Sequence, residues 1–135
     1  MWEETGARMP VSSFHQDEPM TTHKGSCHCG RIKFEVDGDI DSGLSCNCSI
    51  CQRKGSLLWF VPRTSLRLLT PESDMASYTF NKHVIQHLFC PTCGIHPYGE
   101  GKAPNGDAVA AVNIRCIEDI DLATVPVHHY DGRAK

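Results

Sequence analysis

Eight cysteines are the residues of this chain most able to carry chemistry, and seven of them fall into three short groups. The groups are Cys27-His28-Cys29, the segment 46–51 (CNCSIC) and the segment 90–93 (CPTC), while Cys116 stands alone. The first ten residues, MWEETGARMP, do not form a secretory signal, so we expect a cytoplasmic location in which thiols stay reduced. Clustered thiols in such a compartment indicate metal binding, above all zinc.

The first and third groups predict one closed zinc site. In CPTCG, the proline and glycine shape a tight turn that presents the thiolates of Cys90 and Cys93 to one metal. A tetrahedral structural site needs two more ligands. Cys27 and Cys29 are one residue apart, which on an extended chain places both side chains on one face. We therefore expect these four cysteines to hold a structural zinc. A thioredoxin-like redox pair is the alternative, but Gly94-Ile95-His96-Pro97 would break the helix that such a pair requires.

The middle group, Cys46, Cys48 and Cys51, supplies three ligands. Three protein ligands and one vacant position are typical of catalytic zinc, because the vacancy admits water or substrate. Cys116 or a histidine could instead close the site and make it structural. Iron–sulfur binding is disfavoured because the C-x-C-x₂-C spacing does not match ferredoxin-type runs.

Several histidines lie near these groups. His28 falls between two proposed ligands and should point to the opposite face, as a neighbour of the site or an exposed residue. His83 and His87 would share one face of a strand, an arrangement more typical of surface neighbours than of a metal pair. None of the three is therefore predicted to be a ligand.

A small cationic patch follows the middle group. Arg53 and Lys54 come directly after it and form either a solvated turn or a site that attracts an anion or lowers a thiol pKa. Trp59 and Phe60 are predicted to be core residues. Cys116 follows an apolar run and is predicted to be a buried, inert thiol.

The elements that position these groups should be mostly β-strands, arranged as a sandwich or an open barrel. Ile32, Phe34 and Val36 alternate with polar residues, turn residues recur every eight to twelve positions, and no long helical periodicity is present. One helical turn is possible from Cys51 to Gly55. Strands are predicted at Ile32–Val36, Leu57–Val61, Leu66–Leu68, Ala76–Phe80, His83–Phe89 and Ala108–Ile114.

Length and composition predict one domain. The chain has 135 residues, a formal charge of −3 and no apolar run of the ~20 residues that a membrane helix needs. We expect a flexible leader over 1–22 and one zinc-binding domain over 23–135. The acidic balance makes nucleic acid an unlikely partner.

The motifs GSCHCGRIKFEV, CNCSICQRKG, FCPTCGIHPYG, VNIRCI and YDGR together resemble the glutathione-dependent formaldehyde-activating enzyme and centromere protein V family, in the family's order, across residues 23–132. The resemblance implies a zinc-stabilised Mss4-like β fold with two zinc ions per chain. It implies a structural zinc on the first and third cysteine groups and a catalytic zinc on Cys46, Cys48 and Cys51, with Cys116 not a ligand.

The implied activity is the condensation of glutathione with formaldehyde to S-(hydroxymethyl)glutathione, classed as a carbon–sulfur lyase for the reverse direction. A thiol entering the fourth zinc position would lose its proton and attack formaldehyde. Arg53, Lys54 and Arg115 would then be candidates to bind the glutathione carboxylates. The alternatives are a zinc-stabilised binding module without catalysis, and an open-zinc enzyme acting on another thiol or small carbonyl.

Overall fold

The computed structural model describes residues 21–79 and 85–131, and within these ranges most regular structure is β. The described helix, α1 (Ser49–Lys54), joins β3 to β4, and short 3-10 turns occupy Arg63–Ser65, Glu72–Asp74, Ile114–Cys116 and Leu122–Thr124. The described strands are β1 (Thr22–Ser26), β2 (Lys33–Asp37), β3 (Gly43–Cys46), β4 (Leu58–Pro62), β5 (Leu66–Leu68), β6 (Ala76–Tyr78), β7 (Gln86–Phe89), β8 (Tyr98–Lys102), β9 (Ala108–Asn113) and β10 (Val127–Tyr130).

These strands form two open sheets. The smaller sheet has the order β1-β2-β5, and the larger has the order β10-β3-β4-β9-β8-β7-β6. Neighbouring strands are antiparallel except β10 and β3, which are parallel. The prediction of a mostly β, sandwich-like fold is confirmed, in the form of an open β-sandwich.

The main core lies between the two sheets. The alternating pattern of β2 places Phe34 and Val36 inside, against Trp59 of β4 and the fully buried Tyr98 and Val112 of the larger sheet. Both Trp59 and Phe60 are buried, as predicted. Because they are consecutive in one strand, they face opposite sides of the larger sheet.

The outer face of the larger sheet carries a second apolar cluster. Its buried members are Leu58, Phe60, Val109 and Ala111 of β4 and β9. Cys51 of α1 and Leu44 of β3 pack against them. The short helix therefore lies over the outer face of this sheet rather than between the sheets.

A close approach fixes the position of β1. Gly25 of β1 is paired with Phe34 of β2, and a Cβ atom at Gly25 would lie 2.3 Å from the Cζ atom of the Phe34 ring. Only glycine fits there without displacing the ring. The backbone that leads into Cys27 is thereby held tightly against the core.

Sequence periodicity did not predict four of the described strands, and it placed the start of the helix two residues too late. The strands β1, β3, β8 and β10 were not predicted, and α1 begins at Ser49 instead of Cys51. Phe80 and His83, parts of two predicted strands, lie outside the described residues, as does the predicted leader except for its last two residues. Thr22, the last of these, already belongs to β1. Over the ranges described, no helix is long and apolar enough to cross a bilayer.

Candidate metal centres and active site

Four cysteines meet where β1, β7 and the turn after β7 converge. The sulfur atoms of Cys27, Cys29, Cys90 and Cys93 all lie within 4.8 Å of one another. Cys29 Sγ is 3.6 Å from Cys27 Sγ and 3.6 Å from Cys90 Sγ. Zinc with tetrahedral sulfur ligands at about 2.3 Å requires sulfur separations of about 3.8 Å. This cluster can therefore hold a metal ion and is compatible with zinc.

Backbone amides surround these sulfurs. The amide of Ile32 donates to Cys27 Sγ over 3.3 Å. Burial raises the pKa of Cys93, but hydrogen bonds from the amides of Cys29 and Ile95 outweigh it and lower this pKa to about 6. At Cys29 the Arg31 amide lowers the pKa, yet burial and the neighbouring thiols raise it to about 11. Without a metal, the cluster therefore combines a thiolate with protonated thiols. A bound cation would displace the remaining thiol protons and so complete a set of thiolate ligands.

The turn that carries Cys90 and Cys93 is tight and non-helical. The amide of Gly94 donates to the Cys90 carbonyl over 2.8 Å, and Gly94 has a φ of +81°, which favours glycine. The described backbone from 94 to 97 forms no helix, and β8 begins at Tyr98. The helix that a thioredoxin-like pair needs is therefore absent from this described segment.

Three further cysteines meet at the end of β3 and the start of α1. The sulfurs of Cys46, Cys48 and Cys51 lie within 4.8 Å of one another, and the amide of Cys48 donates to Cys46 Sγ over 3.4 Å. Among the residues described, no other histidine, cysteine or carboxylate belongs to this cluster. Cys116 lies elsewhere: its thiol is 3.7 Å from the His96 carbonyl oxygen. The three thiols form a second group able to hold a metal.

The three thiols do not share one protonation state in the absence of a metal. Burial raises the pKa of Cys51, and it also raises that of Cys46. At Cys48, burial acts in the same direction, but the amides of Cys51 and Ile50 outweigh it and lower the pKa. Cys48 is therefore the sulfur of this group that ionises first.

Strand β10 fixes the segment between β3 and α1. In the parallel pair, Tyr130 lies opposite Cys46, and the Asn47 amide donates to the Tyr130 carbonyl over 3.2 Å. The Asn47 side chain donates to Asp131 Oδ1 over 2.9 Å. The three-thiol cluster is thus held on a rigid sheet rather than on a free loop.

A row of paired residues crosses the outer face of the larger sheet beside this cluster. Strand register aligns Phe60, Ala111, Gly99 and His87 in one row across β4, β9, β8 and β7. Paired residues of neighbouring antiparallel strands point to the same face. Since Cys51 packs on the same apolar cluster as Phe60 and Ala111, the thiols and His87 share this face.

The His96 ring lies beside Gly99 of this row. A Cβ atom at Gly99 would lie 3.7 Å from His96 Cε1, and the His87 and His96 ring centroids are 6.3 Å apart. Burial, and after it the positive charge of Lys54, lower the pKa of both histidines to about 4. Both rings are therefore neutral at neutral pH.

The three predicted cationic residues all gather at the end of α1. Although Lys54 is exposed overall, burial of its ammonium lowers its pKa, while the charges of Cys51 and Cys48 raise it. The Arg53 guanidinium donates to the Ser49 carbonyl over 2.8 Å, and Arg115 donates to the Gly55 carbonyl over 3.1 Å. Lys54 is thus the cation whose charge acts on both the thiols and the histidines.

The remaining predicted residues behave more simply. His28 is exposed between its two cysteine neighbours. Cys116 is buried as predicted, and burial raises its pKa to about 11, which keeps the thiol protonated. His87 is partly buried on β7, and its expected neighbour His83 lies outside the described residues.

Sequence reasoning missed His96, Gly99 and Asn113. Asn113 is buried; its side-chain amide donates to the His96 carbonyl over 2.9 Å and its Oδ1 accepts from the Leu57 amide over 3.3 Å. Each of the three gains its role from strand pairing across the larger sheet, so no local spacing marks them. The signal available was a histidine and a glycine in the GIHPYG segment, next to the cysteine turn.

Known proteins resemble this chain in sequence and in structure. A protein of Talaromyces marneffei named among the glutathione-dependent formaldehyde-activating enzymes is 32% identical over 78 residues, covering 54% of this chain. That match covers 42% of the relative, so the chain spans under half its length. A crystal structure of a Rhodobacter sphaeroides protein superposes with a TM-score of 0.67 at 28% identity, covering 78% of this chain and 99% of the other.

The family comparison covers most of the described structure. The family model described as glutathione-dependent formaldehyde-activating enzyme matches residues 22–131, a span that runs from β1 past the end of β10 and includes both cysteine clusters. The expected family resemblance is confirmed. The chain belongs to the glutathione-dependent formaldehyde-activating enzyme family.

Proposed function

We propose that this protein is a zinc-dependent enzyme that condenses glutathione with formaldehyde to S-(hydroxymethyl)glutathione, a carbon–sulfur lyase when named for the reverse direction. The observation that carries the proposal is the three-thiol cluster of Cys46, Cys48 and Cys51. It lies on the outer face of the larger sheet, where the charge of the Lys54 ammonium acts on its thiols. Family membership supports the choice of thiol and aldehyde.

Each cysteine cluster would hold one zinc ion. The four-thiol cluster fits a closed structural site, because four sulfurs already satisfy tetrahedral zinc. The three-thiol cluster fits an open site, and zinc bound there would supply a positive centre that favours the thiolate form of an incoming thiol. Cys46, Cys48 and Cys51 would act as its ligands.

The chain's own residues would bind and orient glutathione beside the three-thiol cluster. Its carboxylates carry negative charge, and the cations at the end of α1 are Arg53, Lys54 and Arg115. Lys54 is the strongest candidate because its charge acts on both the thiols and the histidines.

The test measures the rate of exchange between glutathione and S-(hydroxymethyl)glutathione by NMR with zinc-loaded protein. This equilibrium is reached without a catalyst, so the exchange rate and not the yield is the observable. We expect the wild-type protein and Cys116→Ser to accelerate exchange and Cys48→Ser to lose the acceleration while staying folded. Cys116→Ser is a matched control because it makes the same chemical change outside both clusters.

The substrate-binding assignment has its own test. Lys54→Met should raise the KM for glutathione about five-fold, the effect of losing about 1 kcal/mol from an exposed ion pair. Lys33→Met is the control, since Lys33 is exposed on β2 at the far side of the sandwich. If Lys54→Met, Arg53→Ala and Arg115→Ala combined leave the KM unchanged, these residues do not bind the substrate.

Two other functions predict different results. A binding module would hold two metals tightly, show no acceleration and be indifferent to Cys48→Ser. An open-zinc enzyme for another thiol or carbonyl would fail with glutathione and formaldehyde but accelerate exchange with a different pair.

We also propose a cytoplasmic location, since the eight cysteines are all free thiols and a reducing compartment keeps them available to metals.

A further inference from the structure

One side chain next to the four-thiol cluster joins the two segments that form it. Arg31 follows Cys29 by two residues, and its guanidinium reaches two other segments of the chain. Its Nη1 atom donates to Thr92 Oγ1 over 2.9 Å, and its Nη2 atom donates to Asp74 Oδ1 over 3.3 Å. Because Thr92 belongs to the turn 90–93, this guanidinium bridge connects the segment of one thiol pair with the turn of the other.

The backbone at each end of the bridge contacts the thiols directly. The amide of Arg31 is hydrogen-bonded to the Cys29 thiol, and the amide of Thr92 is hydrogen-bonded to the Cys90 thiol. A displacement of either end of the bridge therefore moves a sulfur atom of the cluster.

The bridge spans the same length of chain as the cluster itself. Arg31 and Thr92 are 61 residues apart in sequence, and so are Cys29 and Cys90. The cost of closing this loop is paid once, so a second connection across it adds little entropy cost. While the bridge holds, the two thiol pairs stay close even if a bond between metal and sulfur opens.

Solvent reaches only part of the four-thiol cluster. Cys27 and Cys90 are buried, whereas Cys29 is exposed and Cys93 is partly buried. A competing chelator therefore meets the thiols of Cys29 and Cys93 first. These two thiols lie one or two residues from the ends of the bridge, so the bridge acts where loss of a metal would begin.

The contact with Asp74 fixes the direction of the guanidinium. Asp74 ends a 3-10 turn, and the next residue, Met75, packs against the buried cluster that contains Cys27 and Cys90. The planar guanidinium can donate to Asp74 and to the threonine hydroxyl at the same time. A lysine ammonium carries the same charge but does not reproduce this fork.

We propose that Arg31 is a positioning residue that retains the metal of the four-thiol cluster. Its bridge to Thr92 holds the two thiol pairs together when one bond between metal and sulfur opens, so that the bond closes again before the metal leaves. The proposal rests on the proposed function in one respect, the presence of a zinc ion in this cluster.

The test measures the rate at which zinc leaves the four-thiol cluster. The parent protein is Cys48→Ser, in which metal analysis should find only the zinc of the four-thiol cluster, and an excess of the chromogenic chelator 4-(2-pyridylazo)resorcinol reports release by absorbance. We expect Arg31→Leu to accelerate release about five- to ten-fold and Thr92→Val about two- to five-fold, the range for losing surface polar contacts. Arg31→Lys should fall between Arg31→Leu and the parent.

A double variant shows whether the two residues act through one contact. Since Arg31→Leu already removes the bridge, adding Thr92→Val should accelerate release no further. A residue that only stabilised the fold would instead give effects that multiply in the double variant.

Arg67→Leu is the matched control. The Arg67 side chain is 44% exposed, against 42% for Arg31, and it also pairs with two acceptors, Asp37 and Glu35. It should change the release rate less than about two-fold, because its partners lie on β2 and not on the cysteine segments. The proposal is overturned if Arg31→Leu stays within about two-fold of the parent, or if Arg67→Leu accelerates release equally.

The exchange assay separates this inference from the proposed function. With Cys48 present and both clusters loaded, Arg31→Leu should accelerate exchange as the wild-type protein does, because its contacts are to the four-thiol cluster. If wild type accelerates exchange but Arg31→Leu leaves zinc release unchanged, only the role of Arg31 fails. If wild type gives no acceleration, the proposed function fails, and the release rates still decide the role of Arg31. A Cys48→Ser protein that holds no zinc overturns this role.

Discussion

Replacing one cysteine in each environment tests the proposal that the four-thiol cluster is structural and the three-thiol cluster reactive. Cys90→Ser removes a fully buried sulfur of the four-thiol cluster, and Cys48→Ser removes a partly buried sulfur of the three-thiol cluster. Cys116→Ser makes the same change at a buried thiol outside both clusters. We expect the loss of unfolding free energy to be largest for Cys90→Ser and smallest for Cys116→Ser.

The magnitudes follow from the chain lengths that each cluster closes. A metal on the four-thiol cluster ties Cys29 to Cys90 across 61 residues. Closing a loop of that length restricts the unfolded chain by about 4 kcal/mol in the chain-entropy treatment of cross-links, against about 2 kcal/mol for the few residues of the other cluster. A chain of this size has a total stability of about 7–20 kcal/mol. Cys90→Ser therefore removes a large share of it, and Cys116→Ser should cost about 1 kcal/mol.

The assay is thermal unfolding of zinc-loaded proteins with the metal content of each sample measured. Cys90→Ser should lower Tm by about 10–20 °C or prevent folding, and Cys48→Ser by less than about 10 °C with one metal lost. The reasoning is refuted if Cys48→Ser and Cys90→Ser lower Tm equally, or if Cys116→Ser matches Cys90→Ser.

Three further perturbations address the frame around the site. Gly25→Ala should lower the free energy of unfolding by at least about 1–3 kcal/mol, because its Cβ would overlap the Phe34 ring. Adding Phe34→Leu to the same chain should recover part of this loss in a urea-denaturation cycle. If the losses of the two single variants simply add in the double variant, the contact is contradicted. Asn113→Ala should cost about 2–3 kcal/mol in urea unfolding, since it leaves the buried amide of Leu57 without its acceptor; a cost below 0.5 kcal/mol would argue against this role. His96 takes up a proton near pH 6.5 in the unfolded chain but only near pH 4 in the folded chain. The free energy of unfolding should therefore fall by about 3 kcal/mol as the pH drops through that window. Equal slopes of unfolding free energy against pH for wild type and His96→Asn would contradict this expectation.

The alternation of apolar and polar residues predicted a strand where one face is buried and the other exposed. The alternation around Phe34 identifies β2, because one face of that strand packs on the core and the other meets water. Strand β8 was missed because Tyr98-Gly-Glu-Gly-Lys102 contains two glycines and one large apolar residue. Strand β10 was missed because three of its four residues are exposed at the sheet edge, where no burial enforces a pattern.

The candidate site also has one part that the local sequence predicts and one part that it does not. Close spacing in sequence was enough to group the thiols, because two ligands one to three residues apart must lie near each other. The row of residues across the outer face was not predictable, because His96, Gly99 and Ala111 become neighbours only through the register of β8 and β9 and through the turn after Cys93. Lys54 was named from its proximity to Cys51, but the effect of its charge on the two histidines depends on the packing of α1.

The two cysteine clusters span very different lengths of chain, which would set the order in which they bind the proposed zinc ions during synthesis. Cys46, Cys48 and Cys51 emerge together on a nascent chain, whereas Cys29 must wait for Cys90, 61 residues later. The local cluster can thus capture zinc before the domain exists, and the long-range cluster only as the sheets close. During refolding with one equivalent of zinc, the ion should therefore bind the local cluster first and then move to the long-range cluster. Zinc binding should show two kinetic phases in the wild-type protein and one phase in Cys48→Ser.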